Sequence, residues 1–445
     1  MTRQGQAGVG RRDVLLGGAA AMLGAGAGAT SAYAEPAAAA QSAGPPSSRP
    51  PNILVVFIDD LGYGDLSCYG SPMIHTPHLD RLARQGTRFT HGYAGHTVCT
   101  PSRAGLLTGR VPPRAGLPHV LFPEDTKGLS ADERTIPEYL KQAGYSTTCI
   151  GKWHLGSQPE HNPTRHGFDH FFGALYSNDM TPFQLWRDEE MIEDPVDQST
   201  LTRRYTEEAI AAIDRAGDDP FFIYLAETMP HLPLAVESRF DGQSEAGEYG
   251  DVVESLDHYL GVLFEALSSR GLDENTLVIV TSDNGPWFDG SSGPFRGRKI
   301  GTYEGGLRVP FIVRWPGVVP RRREHDFPVT VIDLLPTLCS YAGVEPDPDV
   351  TLDGTNVRAV LEGRRSVPRT PIYYFDDDDG SLSAVRDGRW KLHAQRQDET
   401  TRRLPELYDL ERDSGESYNL ASRNPDVVER LTAIIEEMEA EVAPA

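Results

Sequence analysis

Cysteine is scarce: four residues in 445, at positions 68, 99, 149 and 339, far apart in the chain. The absence of any C-x-x-C pair excludes a zinc ribbon or a thioredoxin-like redox centre and leaves no disulfide framework to read. Positive charge is short as well, with 42 Lys and Arg against 65 Asp and Glu, a formal net charge of −23 at pH 7. Arg321 to Arg323 is the longest basic run, so the electrostatic footprint of a nucleic-acid binder is missing. Past the N-terminal region no stretch reaches ~18 uninterrupted apolar residues, and stable membrane association is not expected. No fixed-period repeat stands out, which excludes a solenoid.

The N-terminus carries an address. Arg3, Arg11 and Arg12 precede a Gly/Ala/Leu stretch from Val14 to Thr30, and Ala32-Tyr33-Ala34 follows as a small-x-small cleavage site. This predicts an export signal over 1–34, of the twin-arginine type because its apolar stretch is glycine-rich and weakly hydrophobic. Residues 35–50 are rich in Ala, Pro and Ser without apolar periodicity, the composition of a flexible linker. The mature protein is expected in the periplasm or outside the cell.

From Asn52 onwards apolar runs alternate with amphipathic segments, the pattern of an α/β protein with a large, mostly parallel sheet flanked by helices. "NILVVFIDD" reads as a strand buried on both faces. In "HTPHLDRLARQG", Thr76 is expected to cap a helix, Pro77 to open it and Gly86 to end it in the left-handed region. Strands "STTCIG", "FFIYLAE", "TLVIVTSD" and "RVPFIVRWPG" recur after helical segments. Cys149 and Cys339 fall in a strand and a helix as buried small hydrophobes, and Cys68 in a loop where a disulfide stays open. Residues 51–367 are expected to form the main body. From 368 to 445 the texture changes to a small antiparallel sheet, with Asp387-Gly388 as a hairpin turn, and a terminal helix.

Polar residues gather where these strands end. "NILVVFI" ends in Asp59-Asp60, "STTCI" leads to Lys152 and His154, "FFIYLA" runs towards His231, and "TLVIVTS" ends in Asp283-Asn284. In an open α/β sheet the ligand crevice lies outside the strand carboxyl ends, so these groups should meet. Asp59, Asp60, Asp283 and Asn284 offer only oxygen, a set suited to a hard cation, Ca²⁺ or Mg²⁺, rather than zinc. Either pair alone also fits a turn or a helix cap. His119, His161 and His166 have no such setting and read as structural.

Cys99 lies two residues before Pro101, which is expected to open the helix "PSRAGLLTG". A thiol near a helix N-terminus has a lowered pKa, so a cysteine nucleophile is one reading. Its expected neighbours, a hard cation and several lysines, are not the base or resolving cysteine that thiol chemistry uses.

"CTPSR" at 99–103, followed by "AGLLTGR", resembles the signature of the type I sulfatases, whose cysteine is oxidised after translation to formylglycine. "DDLGYGD" at 59–65, "GKWHLG" at 151–156, "MPHLP" at 229–233, "SDNG" at 282–285 and "GRKIGTYEGGLRVP" at 297–310 resemble the same family in the same order. The resemblance implies an alkaline-phosphatase-like fold and hydrolysis of small sulfate esters by the hydrate of a formylglycine formed from Cys99. It implies that Asp59, Asp60, Asp283, Asn284 and modified Cys99 bind calcium, with Mg²⁺ the other hard cation. Arg103 then supports the hydrate, Lys152, Ser177, His231 and Lys299 contact the sulfate, and His231 and His154 move protons. A formylglycine-generating enzyme and the twin-arginine export machinery become expected partners. Two other readings stand beside this one: a formylglycine-dependent phosphonate or phosphate diester hydrolase, and an exported binding protein that keeps the fold without the aldehyde. Loops 114–127 and 177–194 are expected to recognise the alcohol.

Overall fold

A computed structural model of the chain describes residues 49–394, 396–397 and 402–443. The expected signal over 1–34, and the linker up to residue 48, lie outside the described residues.

The strand Asn52–Ile58 is buried at every position. Successive side chains of a strand point to opposite faces, so Ile53, Val55 and Phe57 enter one apolar layer and Leu54, Val56 and Ile58 the other. One layer is closed by Leu106, Ile136 and Leu335 from the helices Cys99–Thr108, Ile136–Lys141 and Leu334–Ala342. The other is closed by Leu82, Tyr205 and Leu256 from Pro77–Gln85, Leu201–Ala216 and Gly247–Ser269. The sheet has ten strands. Its five central strands run parallel, in the order Thr276–Ser282, Asn52–Ile58, Phe221–Glu227, Ser146–Lys152, His170–Ala174. Antiparallel neighbours flank them on both sides, Phe311–Arg314 on one and Leu185–Arg187 on the other.

A second, antiparallel sheet holds Ile372–Phe375, Leu382–Asp387, Trp390–His393 and Glu406–Asp409 in that order. The helix Pro425–Val442 lays Leu431, Ile435 and Met438 against Leu382, Val385, Leu392 and Leu407 of this sheet. Gly388 makes the expected turn with φ 59°. All four cysteines are free, and Cys149 and Cys339 are buried as expected.

Three local expectations are corrected. Thr76 does not cap its helix; the carboxylate of Asp257, from the neighbouring long helix, accepts the His78 and Leu79 N–H groups at 3.1 and 2.8 Å instead. Gly86 is not left-handed (φ −136°), and its role is close approach, since a Cβ there would lie 2.0 Å from the Val313 carbonyl oxygen. The helix carrying Pro101 begins two residues earlier, at Cys99 itself, with Val98 extended before it.

Glu227 ends a central strand, is 1% exposed, and neither of its carboxylate oxygens has a hydrogen-bond partner among the described residues. Burial pushes its carboxyl up to about 8. A raised acid contributes stability that is complete below its unfolded value and is lost as pH rises through the folded value, at about 1.4 kcal/mol per unit. Glu227→Gln keeps the shape without the ionisation. Its melting temperature should fall less than the parent's between pH 5 and pH 8; parallel curves for the two proteins would contradict this account.

Candidate active site

The parallel register brings Ile58, Glu227 and Ser282 level, so the chain leaves all three strands on the same edge of the sheet. Asp59 and Asp60 follow the first strand and Asp283 and Asn284 the last, and all four are fully or almost fully buried. Carboxylate oxygens of Asp59, Asp60 and Asp283 lie within 4.8 Å of one another. Asp60 takes φ 59°, and its amide donates to Asp283 Oδ1 at 3.1 Å. Asn284 Nδ2 donates to Asp60 Oδ1 at 2.6 Å, while its own Oδ1 is buried without a partner among the described residues.

The three carboxylates meet three permanent cations. Arg103 donates to Asp283 Oδ2 at 2.7 Å and to the Lys152 carbonyl at 2.7 Å, and stands 3.5 Å from Asp59. Lys152 Nζ lies 2.6 Å from Asp59 Oδ2 and donates to Ser177 Oγ at 3.0 Å. Lys299 Nζ contacts both oxygens of Asp60, at 2.7 and 2.9 Å. Burial would push Asp59 up, yet Lys152, His231 and Arg103 hold it well below the usual carboxylate range. Burial, joined by the charge of Asp59, pushes Asp283 up to about 7. Like charges this close do not ionise independently.

Cys99 is the first residue of its helix, with Sγ 3.6 Å from Asp59 Oδ1 and 3.6 Å from Lys299 Nζ. Ligand atoms of Asp59, Cys99 and His231 lie within 4.8 Å of one another. Burial pushes the Cys99 thiol up to about 12 despite Lys152 and Lys299. A thiolate nucleophile at neutral pH is thus disfavoured, because the thiolate is the reactive form.

The histidines are held through their ring nitrogens. His231 Nδ1 stands 3.0 Å from Asn178 Oδ1 and 2.6 Å from the Leu232 carbonyl, and Nε2 faces Asp60 Oδ2 at 3.8 Å. Since a carbonyl only accepts, Nδ1 carries the proton in that bond. His154 Nε2 pairs with the Leu121 carbonyl at 2.9 Å, and its Nδ1 is buried and unpartnered among the described residues. Burial, reinforced by Lys152, holds His154 well below the usual histidine value, so its ring is neutral. His161 and His166 have structural contacts, to the Leu129 carbonyl and the Trp153 ring. His119 is bound through Nδ1 to the Asp377 carbonyl.

Sequence reasoning missed the groups that orient these side chains. Asn178 fixes His231, and Thr100 ties the helix Cys99–Thr108 to the His154 carbonyl at 2.9 Å. Only the position of Asn178 directly after Ser177 could have flagged it.

The sulfatase family model matches residues 51–344, and a model of the N-sulphoglucosamine sulphohydrolase C-terminal region matches 291–442. Arylsulfatase A of Homo sapiens is 38% identical over 449 residues, covering 88% of this chain and 88% of that protein. N-acetylgalactosamine-6-sulfatase of Canis lupus familiaris is 36% identical over 470 residues, covering 92% and 89%. The crystal structure of Ps i-CgsB with k-i-k-neocarrahexaose is 30% identical with a TM-score of 0.81, covering 89% of this chain and 93% of that one. Carboxylates, cations and thiol gathered on one sheet edge, and likeness over nine-tenths of the chain to named sulfatases, lead to one conclusion: the chain belongs to the sulfatase family and is a hydrolase of sulfate esters.

Proposed function

We propose that position 99 is converted to formylglycine and that its hydrate opens sulfate esters beside a divalent cation, Ca²⁺ with Mg²⁺ the other hard cation that fits. The observation that carries this is the cluster of Asp59, Asp60 and Asp283, with Cys99 beside Asp59 and an Asn284 oxygen that has no partner among the described residues. The donor set is all oxygen and partly unpartnered, which suits a hard cation. Asp59, Asp60, Asp283 and Asn284, with residue 99, would hold it. Three acidic side chains share the site with three fixed cations, and a divalent ion would add positive charge for an anionic sulfuryl group. A hydrated aldehyde supplies a geminal diol, and the cation supplies charge neutralisation and acidification of a diol hydroxyl.

The chain's own residues do the rest. Lys152, Ser177 and Lys299 orient the sulfuryl oxygens and stabilise their charge. Arg103 holds Asp59 and Asp283 in place and supports the hydrate. His231 has Nδ1 committed to the backbone, so Nε2 is the atom that protonates the leaving alcohol; burial lowers its hold on that proton. His154, neutral and with Nδ1 open, accepts a proton as sulfate departs. Each transfer contributes roughly 10²- to 10⁴-fold in rate.

We assign residues 51–367 to the catalytic body and 368–445 to a smaller subdomain. The N-terminal arginines and cleavage site support twin-arginine export to the periplasm or beyond, after a cytosolic formylglycine-generating enzyme has acted on Cys99. Among the described residues no helix is long and apolar enough to cross a membrane. Substrates are small sulfated molecules, and the acidic surface disfavours nucleic acid.

Parallel rate measurements with 4-nitrophenyl sulfate and bis(4-nitrophenyl) phosphate test the reaction class. Sulfate should be the faster substrate; a faster phosphodiester would overturn the assignment in favour of the phosphonate or phosphate diester reading.

A further inference from the structure

A buried ionic cage lies outside the site just described. Glu304, fully buried, opens the short helix Glu304–Leu307 five residues after Lys299. Its Oε1 accepts from Lys391 Nζ and from Tyr374 OH, both at 3.1 Å, and its Oε2 accepts from Tyr93 OH at 2.6 Å. Its backbone N–H donates to Glu416 Oε2 at 2.6 Å, and Glu416 Oε1 meets Lys391 Nζ at 3.0 Å and His393 Nε2 at 3.0 Å. Lys391, Tyr374 and His393 all belong to the small antiparallel sheet. Glu304 Oε2 is also paired with Arg308 Nη1 at 3.4 Å, and because isolated buried charges are costly, losing a cation from this cage weakens its hold on Glu304.

What the cage grips is the backbone between the two halves of the catalytic site. Gly285, directly after Asn284, donates its N–H to the Gly306 carbonyl at 2.8 Å, and a Cβ at Gly285 would lie 2.0 Å from the Gly305 carbonyl oxygen. On the other side, a Cβ at Gly306 would lie 1.8 Å from the Gly301 carbonyl oxygen, and Gly305 donates to the Arg296 carbonyl at 2.7 Å. The short helix is therefore wedged, backbone to backbone, between the Asp283-Asn284 turn and the Lys299 loop. Glycine at these positions permits the approach and leaves no side chain to absorb a shift.

We propose that Lys391 is a positioning residue: by fixing Glu304 it holds the short helix, and through it sets both the Asp283-Asn284 turn and Lys299. The small sheet thereby contributes to sulfate and cation binding without touching either. This rests on the proposed function, on sulfate hydrolysis for its activity arm and on the proposed cation site for its Ca²⁺ arm.

The test uses the full mature chain with Lys391→Met, Lys391→Arg and Tyr374→Phe. Ca²⁺ alone is titrated by tryptophan fluorescence, and kcat and KM are measured on 4-nitrophenyl sulfate. In Lys391→Met, Ca²⁺ affinity and kcat/KM should each fall by about 10- to 100-fold, the scale on which outer partners of a metal site act, and Lys391→Arg should recover most of the loss. Tyr374→Phe deletes one hydrogen bond to Glu304 without stranding a charge and should move both quantities the same way by a smaller factor. A Lys391→Met protein that melts lower but keeps Ca²⁺ affinity, kcat and KM would overturn the proposal. Should that variant fail to fold, unchanged Ca²⁺ affinity and KM in Tyr374→Phe would overturn it equally. A parent that releases no sulfate would sink the sulfatase reading, while the Ca²⁺ comparison would still decide the role of Lys391.

Discussion

Cys99→Ala should yield a protein that melts within about 5 °C of the parent, because deleting one small buried atom costs little. Its turnover of sulfate esters should nevertheless drop roughly 10⁶-fold, the loss seen when the nucleophile of a covalent mechanism is deleted. The thiol contributes no capping bond to its helix, and its contacts to Asp59 and Lys299, both 3.6 Å, are long. Its removal therefore leaves the ionic lattice of Asp59, Asp60, Asp283, Arg103, Lys152 and Lys299 intact. An unmodified thiol offers no alternative route, since burial pushes it up to about 12. Circular dichroism melts and a sulfate-release assay on the same preparation check both halves. Retained turnover would mean that another group attacks sulfur. A parent as inactive as the variant would instead favour a binding protein that keeps the fold.

Arg103→Met is the change expected to damage stability most. Arg103 is fully buried, paired with Asp283 and Asp59, bonded to the Lys152 carbonyl and set over the Phe57 ring at 5.6 Å. Methionine replaces the stem but not the charge, leaving Asp59 and Asp283 facing each other in the interior. Removing one partner from a buried ion pair costs roughly 3–5 kcal/mol. The melting temperature should fall accordingly and activity with it. Added Ca²⁺ should recover part of the loss, because a cation among the carboxylates replaces some of the missing positive charge. Thermal melts of parent and variant, with and without Ca²⁺, measure this. A variant as stable as the parent without Ca²⁺ would show that Asp59 and Asp283 do not depend on Arg103.

The catalytic side of the molecule was legible because parallel strands buried on both faces appear as unbroken apolar runs, and the first polar residue after each run marks a strand end. Asp59, Lys152 and Asp283 announced themselves in that way. Cys99 is not a strand-end residue and was read through the motif around it, while Ser177 came only from the family resemblance. The contacts of Asn178 and of the Leu121 carbonyl were invisible, since they reach 53 and 33 residues along the chain and no local pattern encodes them; only the place of Asn178 after Ser177 was a cue. The cage around Glu304 was invisible for the same reason: Lys391 is 87 residues distant and Glu416 is 112. The strands Leu185–Arg187 and Glu190–Glu193 are too short for alternation to show. Gly86 was misread because close packing against Val313, rather than a positive φ, requires glycine there.

The proposed mechanism depends on an aldehyde at residue 99 next to a divalent ion. The direct measurement is peptide mass spectrometry across residues 96–110 of the exported protein, paired with its sulfate-release rate. The account predicts an aldehyde mass at position 99 and turnover that scales with the converted fraction. A fully active protein whose Cys99 is entirely unmodified thiol would contradict it.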